Sequence, residues 1–436
     1  MPAHIAFITV FLGLVSGKQG VELRTDPIIA SIRITLAGKE IARVTQPPWR
    51  TEIDLGQELV PRELQAVGYD GSGKEIGRTS QVLNLPRDSA EVDIDLLRSG
   101  SFPDAAQLRW RNLEYASPKS ATVTFDGVPL IVDSHYRVRF PETDWARPHV
   151  VDAMMRFSDG LVARHEAVID GITFSDTVRA ELTPVLVTET SPEHPSSFDE
   201  CFSIDRTPVR ATAVDKENAI VIFVRDPDAR ETIQAIDPAL RSVNIHTRRE
   251  FSSRVRLDED TVQQVLWPIP QWHSSGSREK SLLFQRTSEM PAREGLMSLL
   301  VTEGPFDRNA GARKYTDAVA VAGLNAVASG RRRAVVLVLS NKYSDASSAV
   351  DPQFVRQYLQ SVSVPLFVWS PVPASPDATA RWGPIEDIST IDRLRAALLR
   401  LKQTLAAQRV AWVRADPLSA LRVKADERCG FATVAH

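Results

Sequence analysis

The hydrophobic period changes once along this chain, near residue 218, and that change restricts what each part can become. Before it, apolar residues alternate with polar ones, as in "SIRITLAGKEIARVTQPPWRTEIDL" (31–55) and "ELQAVGYDGSGKEIGRTSQVLNL" (63–85). Period two marks strands with one buried face, and the Ala-Gly and Asp-Gly pairs inside these stretches mark hairpin turns. After residue 218 the runs are continuously apolar, "AIVIFV" (219–224) and "AVVLVLS" (334–340). Such runs suit parallel strands covered on both faces. The expectation is a multi-domain chain, all-β at first and α/β later.

The all-β part repeats itself. "SATVTFDGVPLIVDSHYRVRF" (120–140) and "VVDAMMRFSDGLVARHEAVI" (150–169) show the same order of strand, glycine turn and strand. Gly38 and Gly71 lie 33 residues apart, as do Gly127 and Gly160, and Pro61, Leu64 and Ala66 echo Pro148, Val151 and Ala153. Tandem β-sandwiches over 20–86 and 88–172 follow, with "LPRDS" (85–89) as linker. The first, with "TQPPWRTEIDLG" ahead of "LQAVGYDGSG", resembles the bacterial immunoglobulin-like modules of surface and secreted proteins. Within it "GSGKEIG" (71–77) opens a hairpin, where a dinucleotide fingerprint needs a strand-to-helix turn.

Composition narrows function mainly by exclusion. With 52 basic and 55 acidic residues the net charge is -3, so no global field points to nucleic acid or an anionic membrane. The run "IAFITVFLGLVSG" (5–17) has the length of a signal-peptide core and is too short to span a bilayer. Residues 1–17 are therefore expected as a signal peptide, with a buried first strand as the alternative. Export predicts a secreted, periplasmic or cell-envelope protein with no membrane span after processing.

Residues 173–215 predict a small β subdomain or linker, and 216–425 an α/β doubly wound domain of Rossmann-like build. "VPLFVWS" (364–370) and "RVAWVRA" (409–415) are read as two more of its strands. "RKYTDAVAVAGLNAVASG" (313–330) and "IDRLRAALLRLKQTLAAQ" (391–408) are its helices, the latter with Leu394, Leu398, Leu401 and Leu405 on one face. The succession "VRDPDAR", "YTDAVAVAGL", "RRRAVVLVLSNKYSDAS" and "VPLFVWS" resembles the von Willebrand factor A (VWFA) domain, in the variant found in exported bacterial proteins.

That resemblance implies a metal-ion-dependent adhesion site, in which an Asp-x-Ser-x-Ser turn and oxygens from two further loops surround Mg²⁺. Asp226 matches its first residue, but Asp228 and Arg230 stand where the serines belong. Ala312 and Thr316 bracket the position of the expected threonine, and Ser340-Asn341-Lys342 replaces the third loop's Thr-Asp-Gly. The site is degenerate, so no metal and no other cofactor is expected. A side-chain cation is expected to replace Mg²⁺, with Arg230 first and Lys342 second as partner of Asp226 or Asp228. Independent solvation of all these groups is the alternative. The ends of such domains lie close together, which implies a disulfide between Cys201 and Cys429 in an oxidising compartment, against the alternative of two thiols.

Catalytic patterns are sparse. Ser275 beside His273 sits in a polar loop, and no P-loop or Gly-x-Ser-x-Gly elbow occurs. "GRRRA" (330–334) lies between a helix and a strand, where arginines meet helix C-terminal carbonyls. The expected function is non-catalytic: protein-protein interaction or adhesion through the crest of the VWFA-like domain. The alternative is a structural or assembly subunit of a cell-envelope complex.

Overall fold

The two alternating stretches fold into two sandwiches of like topology. In the first, β1 (Ile5–Phe7), β2 (Lys18–Thr25), β3 (Ser31–Leu36), β4 (Lys39–Val44), β5 (Arg50–Asp54), β6 (Arg62–Tyr69) and β7 (Glu75–Leu83) form sheets β1-β2-β5 and β4-β3-β6-β7. In the second, β8 (Ala90–Arg98), β9 (Pro103–Asn112), β10 (Pro118–Phe125), β11 (Val128–Leu130), β12 (Arg137–Arg139), β13 (Pro148–Phe157), β14 (Val162–Asp170) and β15 (Thr173–Ser175) form β12-β9-β8 and β11-β10-β13-β14-β15. Strand for strand the orders agree, with β15 added at one edge. The computed structural model describes residues 5–434 except 10, 12, 87–89, 99–101, 113–115, 146–147, 159–161, 171–172, 176–181, 192–194, 196–197, 199, 237–254, 271–283, 293–294, 303, 305–312, 341–342 and 344–347.

The repeat has a physical cause at both of its marks. Ala37-Gly38 and Asp126-Gly127 each carry two positive φ values, 48° and 80° in one turn, 50° and 79° in the other. Two-residue hairpins with that backbone match the twist of the flanking strands, and glycine is the residue least strained there. Leu64 and Ala66 on β6, and Val151 and Ala153 on β13, are fully buried at the same place in the two cores.

Two expectations for the first sandwich change. The apolar run at 5–17 is built into it: β1 pairs antiparallel with β2, and Ile5 and Phe11 join its core. The Gln81 amide accepts from the Phe11 N–H, and Asn84 accepts from Val15 N–H and donates to its carbonyl, so β7 straps the run down. Leu85, read as part of a linker, is buried with Leu59 against the α/β domain. "GSGKEIG" lies in the β6–β7 hairpin, whose turn is closed by Asp70 accepting from Ser72 and Lys74 N–H groups.

Beyond the sandwiches come β16 (Leu182–Glu189), β17 (Phe202–Ile204), β18 (Thr207–Pro208) and β19 (Ala211–Asp215). A seven-stranded sheet follows, made of β20 (Ala219–Arg225), β21 (Thr261–Pro270), β22 (Phe284–Arg286), β23 (Met290–Pro291), β24 (Arg332–Val338), β25 (Leu366–Ser370) and β26 (Glu386–Asp387). Its parallel strands run in the order β21-β20-β24-β25-β26. Both faces are covered, which is why the runs are continuously apolar. Val221 and Phe223 pack with Ile233, Leu299 and the leucines of the helix Ile391–Ala407. Ile220, Ile222 and Val224 pack with the helices Tyr315–Ala328 and Pro352–Ser361.

The last strands do not extend this sheet. β27 (Gln408–Arg414) pairs antiparallel with β16 and β19, and β29 (Phe431–Thr433) adds to the other edge of β16. β28 (Val423–Ala425) pairs with β17. "RVAWVRA" is therefore part of the small antiparallel subdomain, which combines segments before and after the α/β domain; the division 173–215 and 216–425 shifts accordingly. β15, at the start of the expected subdomain, belongs to the second sandwich. A short apolar run looks the same in either sheet, and only the returning chain decides its partner. Cys201 and Cys429 are joined by a disulfide within this subdomain, their Cα atoms 5.7 Å apart.

Of the arginines after Gly330, Arg331 pairs with Glu289, while Arg332 and Arg333 serve helix ends, though not that of the helix Tyr315–Ala328 before them. Arg332 donates to the Leu405 carbonyl at 2.8 Å, near the end of the helix Ile391–Ala407, and pairs with Asp260. Arg333 donates to the Val362 carbonyl at 3.2 Å, just past the helix Pro352–Ser361. The Leu405 carbonyl also accepts the N–H of the capping Gln408, and in both places a buried guanidinium adds a donor where the helix dipole favours a cation.

Candidate functional site

In a parallel sheet the crevice for ligands lies beyond the carboxyl ends of the strands, where successive crossovers diverge. Here that point falls between β20 and β24, since β20 leads outward to β21 on one side and β24 to β25 on the other. Asp226 follows β20 directly and Ser340 follows β24 by two residues. The structure thus brings together the two site residues that the ends of the apolar runs pointed to.

Asp226 is fully buried. Its own N–H donates to the Val338 carbonyl, fastening the turn to β24. One carboxylate oxygen accepts from the Asp228 N–H at 3.0 Å, the other from the Ser340 hydroxyl. The Arg313 guanidinium then bridges the pair: Nη1 lies 3.5 Å from Asp226 Oδ1 and Nη2 2.7 Å from Asp228 Oδ2. Burial alone would lower the Arg313 pKa, but the Asp226 charge, followed by the Asp228 bond, raises it overall. Burial and the Asp226 charge push the Tyr315 phenol above its ordinary value, so it stays a neutral hydroxyl beside the carboxylate.

A side-chain cation does occupy the turn, and among the described residues it is Arg313 and not Arg230. Arg230 points the other way, its Nε donating to the Val301 carbonyl at 2.9 Å. The spacing from Asp226 to Arg230 suits a helical contact, yet the helix Ala229–Ile236 starts so that the guanidinium meets the carbonyl just past the helix Leu296–Leu300 instead. Lys342 and Ala312 lie outside the described residues, as do His273 and Ser275. Thr316 is buried in the first turn of the helix Tyr315–Ala328. Arg313 sits beside the loop expected to supply a threonine oxygen, where its residue type alone gives no sign of a lock.

Next to this lock a third carboxylate organises the crest. Asp317 is buried and accepts from the Ala349 N–H at 3.0 Å and the Val350 N–H at 3.3 Å, while Lys314 Nζ stands 3.6 Å away. Tyr343 accepts a 2.8 Å bond from the Trp382 indole and packs its ring 5.0 Å from that of Tyr315. Among the described residues the groups gathered at the switch point include the Asp226 and Asp228 carboxylates, the Ser340 and Tyr315 hydroxyls and the Arg313 guanidinium. Hard-cation chemistry wants converging oxygens, and a guanidinium in their midst repels any such ion. The residues do not fit Mg²⁺ without displacement of Arg313. Among the described residues no group of three or more His, Cys, Asp or Glu is placed to hold a metal.

Fold and site together define a protein of tandem β-sandwiches followed by a mixed domain in which a guanidinium bridges two carboxylates at the crest of its sheet. No family model matches the chain, and no curated protein does. Among solved structures it is similar to the fibronectin(III)-like modules of Clostridium thermocellum CbhA, at 11% identity over 38% of this chain and 93% of that one, with a TM-score of 0.16. The central fibronectin-III array of RIM-binding protein matches at 12% identity, 46% and 82% coverage and a TM-score of 0.21. A structure of a 1.5-MDa bacterial ice-binding adhesin matches at 14% identity, 44% and 70% coverage and a TM-score of 0.15. At these scores none of them assigns a family or a function to the chain. No described helix is long and apolar enough to cross a membrane.

Proposed function

We propose that this is a non-catalytic, exported interaction protein whose VWFA-like domain engages another protein without a divalent cation. One observation carries the reading: Arg313 bridges Asp226 and Asp228 at the switch point, where an adhesion site of that family would hold its ion. The groups a catalytic site would aim at a substrate, Asp226, Ser340 and Tyr315, are turned toward one another. Export is supported by the Cys201–Cys429 bond, since such bonds persist in oxidising compartments. The tandem sandwiches serve as the stalk.

A second reading, a structural or assembly subunit, draws support from a different contact. Leu59 and Leu85 of the first sandwich are buried in the same apolar cluster as the helix Pro352–Ser361, so the two domains share packed core residues. The two readings separate by experiment. Tagged full-length chain is offered to native envelope extract, crosslinked and recovered with and without chelator. Recovery of one partner in sub-stoichiometric amount, equal in both conditions, supports the first reading. Stoichiometric co-purification through every step supports the second, and capture abolished by chelator overturns the metal-independent account.

A further inference from the structure

The second sandwich contains a histidine that neither reading uses. His149, second residue of β13, is buried, and both its ring nitrogens face acceptors. Nδ1 stands 2.6 Å from Asp126 Oδ2 in the β10–β11 turn, and Nε2 stands 3.0 Å from the backbone oxygen of Asp144 in the loop before β13. A carbonyl donates nothing. Burial opposes the charge on Asp126, but its bonds from His149 and from the Val150 N–H bring its pKa below the ordinary value, so it too is an acceptor at neutral pH.

A neutral imidazole has one N–H and an imidazolium has two. Only the charged ring can donate to both partners at these positions. The surrounding rings favour the same form: Phe125 stacks on His149 at 5.0 Å between centroids, and Trp145 meets it edge to face at 5.3 Å. Electron-rich ring faces within about 6 Å attract a cation. Among the described residues the ionisable groups that face the ring are Asp126 from the turn and Asp144 from the loop, both carboxylates.

We propose that His149 is a proton-operated latch: as imidazolium it ties Asp144 and Trp145 to the Asp126-Gly127 turn, and as neutral imidazole it lets go of one of them. Burial pulls the His149 pKa down, while Asp126 and the Asp144 carbonyl raise it further, and the balance lies above 6.5. A folded value above the unfolded one means that the latch stabilises fully below pH 6.5 and is lost as pH rises through the raised value. The Asp126 half has the opposite limit, since its lowered pKa keeps the contact until pH falls through that value. The latch is therefore closed in mildly acidic medium and opens toward alkaline pH.

The full chain labelled with 5-fluorotryptophan provides the test, with the Trp145 resonance among eight tryptophans identified by Trp145→Phe. Across neutral to mildly alkaline pH, the Trp145 resonance is expected to shift with the same midpoint as the His149 ring protons, above 6.5. In His149→Gln the shift disappears. In Asp126→Asn the midpoint moves down toward the ordinary histidine value; asparagine tolerates the φ of 50° at this turn, so this variant decides should His149→Gln fail to fold. A Trp145 resonance that ignores pH, one that responds equally in His149→Gln, or an unmoved midpoint in Asp126→Asn overturns the latch.

Discussion

At Arg313 a single side chain does what an ion does in a metal-bound crest: it lets two carboxylates share a small, dry space. The Arg313 side chain is four-fifths covered and that of Asp226 entirely so. Breaking a buried pair by removing one partner strands the other charge, at a cost of about 3 kcal/mol or more. Arg313→Ala is thus expected to lower stability by that amount in denaturant melts. Arg230→Ala, which loses a charged donor to the Val301 carbonyl but strands no buried charge, should cost less, about 1.5–2 kcal/mol. Equal losses in the two variants would refute the assignment of the lock to Arg313. Millimolar Mg²⁺ should leave the wild-type melting temperature unchanged and raise that of Arg313→Ser, where an oxygen replaces the guanidinium. Asp226 and Ser340 were legible in the sequence because each ends a continuous apolar run, and the ends of such runs are where a parallel sheet places its site. Arg313 was not, because its partner Asp228 lies 85 residues away and nothing local marks a cation as a lock.

Among the elements, the helices were legible where one face is uniformly apolar. Leu394, Leu398, Leu401 and Leu405 are all buried against the sheet, as their spacing requires. β27 was misplaced for the converse reason, since a short apolar strand carries no mark of the sheet it will join. The helix Tyr315–Ala328 presents a different case, with buried residues on nearly every side. Gly323 lets it approach the helix Pro352–Ser361: a Cβ there would stand 2.2 Å from Leu359 Cδ2 and 3.6 Å from the Tyr358 ring. Helix propensity favours Gly→Ala by about 1 kcal/mol. Overpacking of a filled core costs about 1–3 kcal/mol, and Leu359 is itself buried with little room to turn. Packing is expected to win. Gly323→Ala should destabilise the chain in urea titrations, and a gain in stability would show that the two helices can move apart freely.

For the molecule as a whole, the small antiparallel subdomain is the place where the chain departs for its α/β domain and comes back. β16 and β19 precede the excursion, β27 and β29 follow it, and the Cys201–Cys429 bond closes a span of 228 residues. Chain-entropy reasoning assigns roughly 5 kcal/mol at most to so long a loop. Reduction should therefore lower the melting temperature without abolishing the fold, since β16 and β27 remain paired along their length. An unchanged melt after reduction would mean that the bridge contributes nothing to stability.

The same closure decides how the protein carries tension. A pull between the sandwiches and the carboxyl terminus enters the subdomain through β16 and leaves through β29, and the bridge between residues 201 and 429 is the short path across it. Once the contact of Leu59 and Leu85 with the α/β domain has parted, that domain hangs from the path as an unloaded branch. Stretched in the oxidised form, the chain should never release the extension stored in that branch; in the reduced form it should give up roughly 80 nm more, at about 3.6 Å for each of the 228 residues. Force spectroscopy on the two forms reads the difference directly, and equal contour lengths would mean that the load does not pass through the bridge. A protein built in this way can be tugged by whatever it is attached to while its crest keeps its shape.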